Sequence, residues 1–162
     1  EASNPRLRAE MLDESLEIVS GLQSGQLFNH NGKHYQVTEA QFQPAAVQSP
    51  RVPIWVAAHW PFKRPLRRAA HWDGVLPRQW NSGPITPVVL REISAYITKH
   101  RTTDTPFDIC KYGLTEGKNL ALERAMVQEF SAAGATWWIE EIFSGRGTLN
   151  QIRQRINSGP SR

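Results

Sequence analysis

The sequence of 162 residues contains a single cysteine, Cys110, and lacks any long run of apolar residues. One cysteine cannot form a disulfide within the chain, so a disulfide-stabilised scaffold is excluded and a reducing cytoplasm is the expected location. Residues 1–25 are polar and charged rather than a signal-peptide core. We therefore expect neither a secretory leader nor a membrane span.

The chain also has little excess charge, because 19 basic and 15 acidic residues give a net charge of +4. These charges are spread over most of the chain, so a preference for an anionic ligand depends on local clusters. Rossmann and P-loop glycine patterns are absent, which excludes those two ways of holding a nucleotide. The apolar content of 40% is sufficient for one core, and we expect residues 1–162 to form a single domain.

A helix and a small hairpin are predicted first. Asn4 and Pro5 are typical of a helix start, and apolar residues then recur at helical spacing, which predicts a helix within residues 1–25. Two short β-prone pieces flank Asn31-Gly32, a pair typical of a type I′ turn in which both central residues have positive φ. The sequence therefore predicts a hairpin over residues 26–38.

Strands and helices then alternate over residues 53–157. The predicted strands are 53–58, 74–77, 107–112 and 135–139, and they precede helices at about 62–71, 87–100, 119–132 and 148–157. Apolar strands separated by helices favour parallel pairing through right-handed crossovers. We expect an α/β fold with four βα units, either a small open sheet or part of a β/α barrel. A complete barrel takes roughly 250 residues, so this chain would supply about half of one.

Several motifs resemble those of the luciferase-like monooxygenase family, the flavin- and deazaflavin-dependent oxidoreductases built on an eightfold β/α barrel. The motifs are the LDE-LEIV helix, the G-x-x-F…G-K-H-Y hairpin, the PIWV strand and the A-A-x-W-D-G-V turn. They cover essentially the whole chain but match the C-terminal half of such a protein. The resemblance implies about half of a TIM-type barrel, with a leading helix and a hairpin insertion. Its exposed strand edges predict pairing with another copy or with a missing N-terminal half.

The resemblance also indicates where a cofactor binds, because ligands gather at the C-terminal ends of barrel strands. In relatives that bind the deazaflavin, a loop with Gly-Gly-Pro after the PIWV-like strand holds the cofactor through its backbone. The matching loop here comprises Ala57, Ala58, His59, Trp60, Pro61 and Phe62. His59 and Trp60 replace the two glycines and resist the close backbone approach that glycine permits. They offer instead an aromatic wall and a histidine donor for a phosphate.

Arginines near this loop are the candidate anion ligands. Arg78 follows the strand GVLP at its C-terminal end, a position that contacts a cofactor or substrate anion in some family members. Arg64 is the nearest basic residue to the loop and is expected to assist. For Arg67 and Arg68 we favour a solvated helix face, and Trp80 is expected only to cap the barrel end.

The segment Ser144–Thr148 competes as a phosphate site, because two glycines and an arginine precede a predicted helix start. An ordinary turn is the alternative. Glu140 and Glu141 do not form a glycoside hydrolase pair, because neighbours in a strand point to opposite faces, and we expect a structural role. Trp137 and Trp138 are likewise expected to divide between the barrel interior and the helix layer.

Other polar residues receive structural interpretations. His30 and His34 flank the predicted turn, but no third ligand has suitable spacing, so we expect exposed hairpin residues and no metal site. Asp73 is expected at a helix end, and Cys110 as a small buried strand residue.

The resemblance implies hydride transfer, or oxygen activation by reduced FMN with oxidation of a small organic substrate. FMN or a deazaflavin would carry the chemistry, and the sequence identifies no catalytic acid or base. The alternative is a non-catalytic half barrel, or a truncated fragment, that dimerises to complete a barrel. Nucleic-acid binding through KRPLRR is disfavoured, because no recognised nucleic-acid motif accompanies it.

Overall fold

A computed structural model describes residues 3–81 and 83–160. The chain divides into two compact units, an N-terminal unit that ends at Pro53 and a C-terminal unit that begins at Ile54. Within the described ranges, no helix is long and apolar enough to cross a membrane.

The N-terminal unit consists of a helix and an antiparallel hairpin. Its elements are α1 (Pro5–Leu22), β1 (Phe28–Asn31) and β2 (Gln36–Ala40). Asn4 caps the helix, since its side-chain oxygen accepts hydrogen bonds from the N–H groups of Arg6 and Leu7. The predicted helix start is confirmed, whereas residues 1 and 2 of the predicted segment lie outside the described residues.

The hairpin is confirmed, but its predicted turn type is wrong. Neither Asn31 nor Gly32 has a positive φ, so the turn is not type I′. The strands are joined by residues 32–35, and the N–H of Gly32 donates to the carbonyl of Tyr35 at 2.9 Å. The reason lies in α1, whose Glu14 binds the N–H groups of this connection.

Glu14 organises the loop through three successive backbone donors. Its carboxylate accepts hydrogen bonds from the N–H groups of Lys33, His34 and Tyr35 at 2.9, 3.0 and 2.9 Å. Burial alone raises the pKa of Glu14, but these hydrogen bonds, together with the nearby His30 side chain, outweigh burial. The pKa of Glu14 therefore lies below its ordinary value, and α1 and the hairpin are joined by a charged acceptor.

His30 and His34 are not exposed, contrary to the prediction. Their side chains are 13% and 11% exposed, and they lie 3.5 Å from Glu14 and 3.1 Å from Glu10 respectively. Glu10 also accepts a hydrogen bond from Lys33 Nζ at 2.8 Å. Hydrogen bonds from Lys33 and His34 lower the pKa of Glu10 to about 2. Among the residues with described placement, no group of three or more His, Cys, Asp or Glu can hold a metal ion.

The C-terminal unit is a parallel four-stranded sheet in the order β3-β4-β5-β6. Its strands are β3 (Trp55–Trp60), β4 (Gly74–Gln79), β5 (Asp108–Gly113) and β6 (Trp137–Glu140). Its helices are α2 (Lys63–Ala70), α3 (Pro87–His100), α4 (Leu120–Ala132) and α5 (Leu149–Asn157), with a short 3₁₀ turn at Ser144–Arg146. The predicted alternation and the parallel pairing are confirmed, with boundaries that differ by at most two residues.

The helix boundaries follow local signals in the sequence. Thr86 and Thr148 cap α3 and α5 through their hydroxyl oxygens. Gly134 and Gly159 follow α4 and α5 with φ of 107° and 71°, a region that favours glycine. All four residues are therefore local signals that begin or end a helix.

The two faces of the sheet have different surroundings. One face packs under the helices and carries buried side chains, namely Val56, Ala58, Val75 and Ile109. Trp138 lies on this face, with its ring centroid 5.8 Å from that of Phe130 in α4. Trp137 lies on the opposite face, 5.4 Å from the ring of Trp55, and is 51% exposed. The two tryptophans divide between the faces as predicted.

Cys110 is a buried strand residue, as predicted. Its side chain has 0% exposure within β5. Burial, reinforced by the negative charge of Asp108, raises the pKa of the thiol to about 12. Cys110 is therefore packed as a small apolar residue and stays protonated.

Asp73 connects the N-terminal ends of three strands rather than ending a helix. Its carboxylate accepts a hydrogen bond from the N–H of Ile54 at 2.7 Å, and its own N–H donates to the Ile54 carbonyl at 3.1 Å. Its carbonyl accepts from the N–H of Asp108 at 2.8 Å. The next residue, Gly74, has no space for a side chain, because a Cβ there would lie 2.5 Å from Trp55 Cδ1. The Asp-Gly pair therefore fixes the register of β3, β4 and β5.

Replacing Glu14 by Gln is expected to loosen the loop at residues 33–35, because a neutral amide oxygen is a weaker acceptor than a carboxylate. The three amides should exchange with solvent about tenfold faster or more when measured by NMR. Glu17→Gln is the matched control, because that carboxylate is 65% exposed and 4.0 Å from His30. Equal exchange rates in the two variants would contradict the role of Glu14.

Acid is expected to destabilise the N-terminal unit. The pKa of Glu10 in the folded protein is about 2, below its ordinary 4.5. The stability that this carboxylate contributes is fully present above pH 4.5 and is lost as the pH falls towards 2. Thermal unfolding followed by circular dichroism should show a smaller loss over this range in Glu10→Gln than in the native chain. The same loss in both proteins would assign the acid response to other groups.

Gly74→Ala is expected to destabilise the sheet by about 1–3 kcal/mol, because the new methyl group overlaps Trp55 and backbone. Urea unfolding measures the change in free energy. Gly83→Ala is the control, since among the described residues its Cβ would meet the Asn81 side chain at 3.3 Å and that of Gln79 at 3.6 Å and nothing closer. If Gly74→Ala were as stable as this control, the close approach of Trp55 would not constrain the register.

Candidate functional site

A cavity of about 610 Å³ lies at the C-terminal ends of β3, β4 and β5. Its lining includes His59, Arg78, Gln79, Trp80, Tyr112 and Glu141, together with residues 83–85. Parallel strands bring their C-terminal ends to one edge of a sheet, and ligands of α/β folds bind outside that edge. This cavity is therefore the candidate functional site.

The parallel register brings His59 and Arg78 together. The two residues are paired across β3 and β4, so their side chains leave the same face of the sheet. The guanidinium carbon of Arg78 lies 4.9 Å from the ring centroid of Tyr112. The ring of His59 meets Trp80 edge to face at 5.7 Å. Arg78 therefore lies over one aromatic ring of the cavity, and His59 and Trp80 supply a second pair of rings in the same lining.

Trp80 joins the predicted cofactor loop to the cavity. Its ring lies 5.2 Å from that of Phe62 in a T-shaped arrangement. Its backbone N–H donates a hydrogen bond to the Trp60 carbonyl at 3.0 Å. The side chain is nevertheless 65% exposed. Trp80 is therefore a wall of the cavity that a bound ring can reach, in addition to the capping position that the sequence predicts.

Gln79 and Glu141 supply acceptors to the same cavity. The Oε1 atom of Gln79 is buried and accepts no hydrogen bond from the part of the chain that the structure describes. A buried acceptor without a donor is costly, so it favours a ligand or water that brings an N–H or O–H group. Lys111 also lines the cavity, and burial lowers its pKa although Glu141 acts in the opposite direction. Its ammonium group donates to the Tyr112 carbonyl.

The other residues predicted for the cofactor lie beside the cavity. Ala58 is 1% exposed on the helix-facing side of the sheet. Trp60 lies under Lys63, whose Nζ is 3.8 Å from the ring centroid. The exposed residues of the predicted set that do not line the cavity are Ala57, Pro61, Phe62 and Arg64.

The helix after this loop begins with available donors. Phe62 is the N-cap residue of α2, and within the described residues no side chain caps this end. The first N–H groups of a helix have no partner inside it and favour an anion, although Pro65 in the first turn of α2 has no N–H. In the competing segment, Thr148 and Gln151 already form a capping box at the start of α5. The start of α2 is thus the more open of the two predicted phosphate sites.

Glu140 has the structural role that the sequence predicts. Its carboxylate accepts hydrogen bonds from the N–H and hydroxyl of Thr115 at 2.7 and 2.8 Å and from Trp138 Nε1 at 3.1 Å. Arg146 forms an ion pair with it at 2.7 Å. Burial raises the pKa of Glu140, but these donors outweigh burial and the net pKa is lowered. Glu141 lines the cavity instead, so the two carboxylates serve different sites.

Tyr112 and Glu141 are not predicted from the sequence as site residues, and Trp80 and Gln79 have no predicted ligand role. Each lies at or just beyond the C-terminal end of a strand, which is the available signal. Their chemistry is that of a binding site with aromatic surfaces, a cation and hydrogen-bond acceptors. A nucleophile with an adjacent base is not evident among the described lining residues.

Comparisons with known proteins find one family and three relatives that resemble the chain. Residues 2–115 match the profile of the family described as luciferase-like monooxygenase. An uncharacterized protein of Mycobacterium bovis and two uncharacterized proteins of Mycobacterium tuberculosis are each 33% identical to the chain over 105 residues. The match covers 63% of this chain and 33% of each relative. The chain therefore spans about a third of the length of the curated relatives it matches.

The family match contains β3, β4 and β5. It therefore includes the cavity residues His59, Arg78, Trp80 and Tyr112, whereas Glu141 lies beyond its end. A match over more than half of the chain agrees with the hairpin and strand motifs of the sequence. The chain belongs to the luciferase-like monooxygenase family.

Proposed function

We propose that this chain forms part of a flavin- or deazaflavin-dependent oxidoreductase and that the cavity beside β3, β4 and β5 holds its cofactor. The observation that carries the proposal is the meeting of His59, Arg78, Trp80 and Tyr112 in one cavity. Aromatic side chains provide walls for a planar ring, and Arg78 provides a charge for a phosphate. FMN and the deazaflavins share both of these chemical features.

Each part of the site has a role in this proposal. The loop from Ala57 to Phe62 and the uncapped start of α2 anchor the phosphate and ribityl end, with Arg78 and Arg64 assisting. Trp80 packs against the ring, and Gln79 Oε1 accepts a donor from the bound molecule. The cofactor supplies hydride transfer or oxygen activation when bound, acting on a small organic substrate. We assign no catalytic acid or base.

We propose further that the sheet is half of a TIM-type barrel. Parallel sheets are nearly always covered on both faces, yet the helices of this sheet pack on one face, and the other carries exposed Trp137. Four sequential parallel strands in the order β3-β4-β5-β6 are what half of such a barrel contains. The missing cover would be the remaining strands of the barrel.

The same uncovered face supports a second candidate, a non-catalytic binding module in which two copies complete a barrel. This candidate keeps the phosphate site and lacks the redox pocket. Flavin titration by fluorescence quenching, combined with a turnover assay, separates the two functions. Binding with turnover supports the enzyme, and binding without turnover supports the module. For either function we propose the cytoplasm as the location, because a chain with a single cysteine has no internal disulfide that an oxidising compartment would favour.

Cofactor binding is tested by titrating FMN, and separately a deazaflavin, with the chain and recording fluorescence quenching. Arg78→Gln should weaken the affinity by about tenfold or more, because it removes one close charge from the phosphate. The matched control is Arg67→Gln, which removes an equal charge from an exposed position of α2 outside the cavity.

Two results would contradict the proposal. One is that neither cofactor binds to the folded chain. The other is that Arg67→Gln weakens binding as much as Arg78→Gln, which would make the effect one of net charge. A loss confined to Arg78→Gln, with an unchanged unfolding midpoint, supports the cavity as the site.

A further inference from the structure

A row of three side chains crosses the parallel sheet at the C-terminal ends of its strands. His59 of β3 is paired with Arg78 of β4. The guanidinium carbon of Arg78 lies 4.9 Å from the ring centroid of Tyr112 on β5. All three residues line the cavity proposed for the cofactor. Arg78 is therefore the middle member of the row, between an imidazole and a phenol ring.

The guanidinium group of Arg78 has free hydrogen-bond donors. Among residues 3–81 and 83–160, no hydrogen bond and no ion pair joins it to another side chain or to the backbone. A guanidinium group has five N–H donors in a planar fork, so these donors remain for water or for a ligand in the cavity. The contact that the structure shows for this group is the ring of Tyr112.

Arg146 and Arg155 show the other way in which this unit holds an arginine. Both pair with the carboxylate of Glu140, at 2.7 and 3.6 Å, and Arg155 also donates to the Thr115 carbonyl at 2.8 Å. Such bonds fix a guanidinium group, but they occupy its donors. A cation–π contact restrains the group from one face and uses none of its N–H groups. Arg78 is thus restrained and still able to bind an anion.

The position of Tyr112 follows from the strand register. β4 and β5 pair Gly74 with Asp108 and Val75 with Ile109, and the same offset carried to the ends of both strands sets Arg78 beside Tyr112. Tyr112 is half-buried. Its hydroxyl group has no hydrogen-bond partner among the described residues. The part of Tyr112 that Arg78 contacts is therefore the ring, which phenylalanine would also provide.

We propose that Tyr112 is a positioning residue, which holds the guanidinium group of Arg78 in place for the phosphate of the cofactor. This inference rests on the proposed cofactor site. A free arginine side chain loses rotamer freedom when it binds an anion, and this loss weakens binding. The ring of Tyr112 restricts Arg78 before the cofactor arrives and leaves the planar fork for two phosphate oxygens. Trp80 keeps its separate role beside the cofactor ring.

The test is a double-mutant cycle between Tyr112 and Arg78, measured as affinity for the tighter-binding of FMN and the deazaflavin. Tyr112→Leu removes the ring and should weaken the affinity about threefold to tenfold. Tyr112→Phe keeps the ring and should bind the cofactor as the native chain does. In the Arg78→Gln background, Tyr112→Leu should cause no further loss, because no charge is left to position.

Phe107→Leu is the matched control, because it removes another half-buried ring that contacts an arginine. The guanidinium carbon of Arg101 lies 4.6 Å from the centroid of the Phe107 ring. Arg101 also donates to the carbonyls of Trp72 and Thr105 at 3.0 and 2.7 Å. Phe107 lies outside the lining of the cavity. The affinity for the cofactor should therefore be unchanged in this variant.

A second measurement needs no cofactor. The ring current of Tyr112 should shift the side-chain NMR resonances of Arg78 in the free chain. These shifts should persist in Tyr112→Phe and disappear in Tyr112→Leu. If Tyr112→Leu does not fold, Tyr112→Met replaces it in both measurements, because methionine is apolar, flexible and lacks a ring.

The outcomes separate the positioning role from the proposed function. Weaker binding in Tyr112→Leu, with native binding in Tyr112→Phe and no further loss in the Arg78→Gln background, supports the role. Native affinity in Tyr112→Leu, or the same loss with and without Arg78, overturns it and leaves the cofactor site intact. Arg78 resonances that do not respond to Tyr112→Leu also overturn it. If neither cofactor binds to the folded native chain, both proposals are overturned.

Discussion

The hydrogen bonds of Asp73 are the constraint on which the C-terminal unit depends. They fix the register of β3, β4 and β5 at the N-terminal ends of these strands. Gly74 leaves room for the Trp55 side chain of the neighbouring strand. A slip of one residue would turn every side chain of a strand to the opposite face. The pairing of His59 with Arg78 at the far end of the sheet is thus determined where the strands start.

The far edge of the sheet carries arginines in two different surroundings. The cavity at the ends of β3, β4 and β5 combines Arg78 with aromatic walls, whereas Arg146 and Arg155 are bound by Glu140 and by backbone carbonyls. Glu140 is the last residue of β6 and pairs with Arg146, whereas Glu141 lies just beyond the strand and lines the cavity. The two adjacent carboxylates therefore have different partners.

Local sequence signals predict much of this fold and fewer of its contacts. The strands and helices of the C-terminal unit follow from apolar patterns and from caps such as Thr86 and Thr148, which act within a few residues of chain. The hairpin turn could not be predicted in this way. Its conformation depends on Glu14, about twenty residues earlier in the chain, whereas turn preferences consider only Asn31 and Gly32.

The same reason explains the site residues. His59 and Arg78 are predictable because both follow motif-bearing strands. Tyr112 and Trp80 gain their roles from the order of the strands, which places their rings beside Arg78 and His59. The burial of His30 and His34 likewise arises from packing against α1 rather than from the hairpin sequence.

The burial of Cys110 means that the reactivity of its thiol reports the opening of the sheet. Its sulfur is inaccessible and its pKa is raised to about 12, so thiolate is scarce while β5 keeps its place. Maleimide reagents would reach this atom only after the sheet opens. Since the chain has one thiol, the rate of alkylation would count opening events at a single known position.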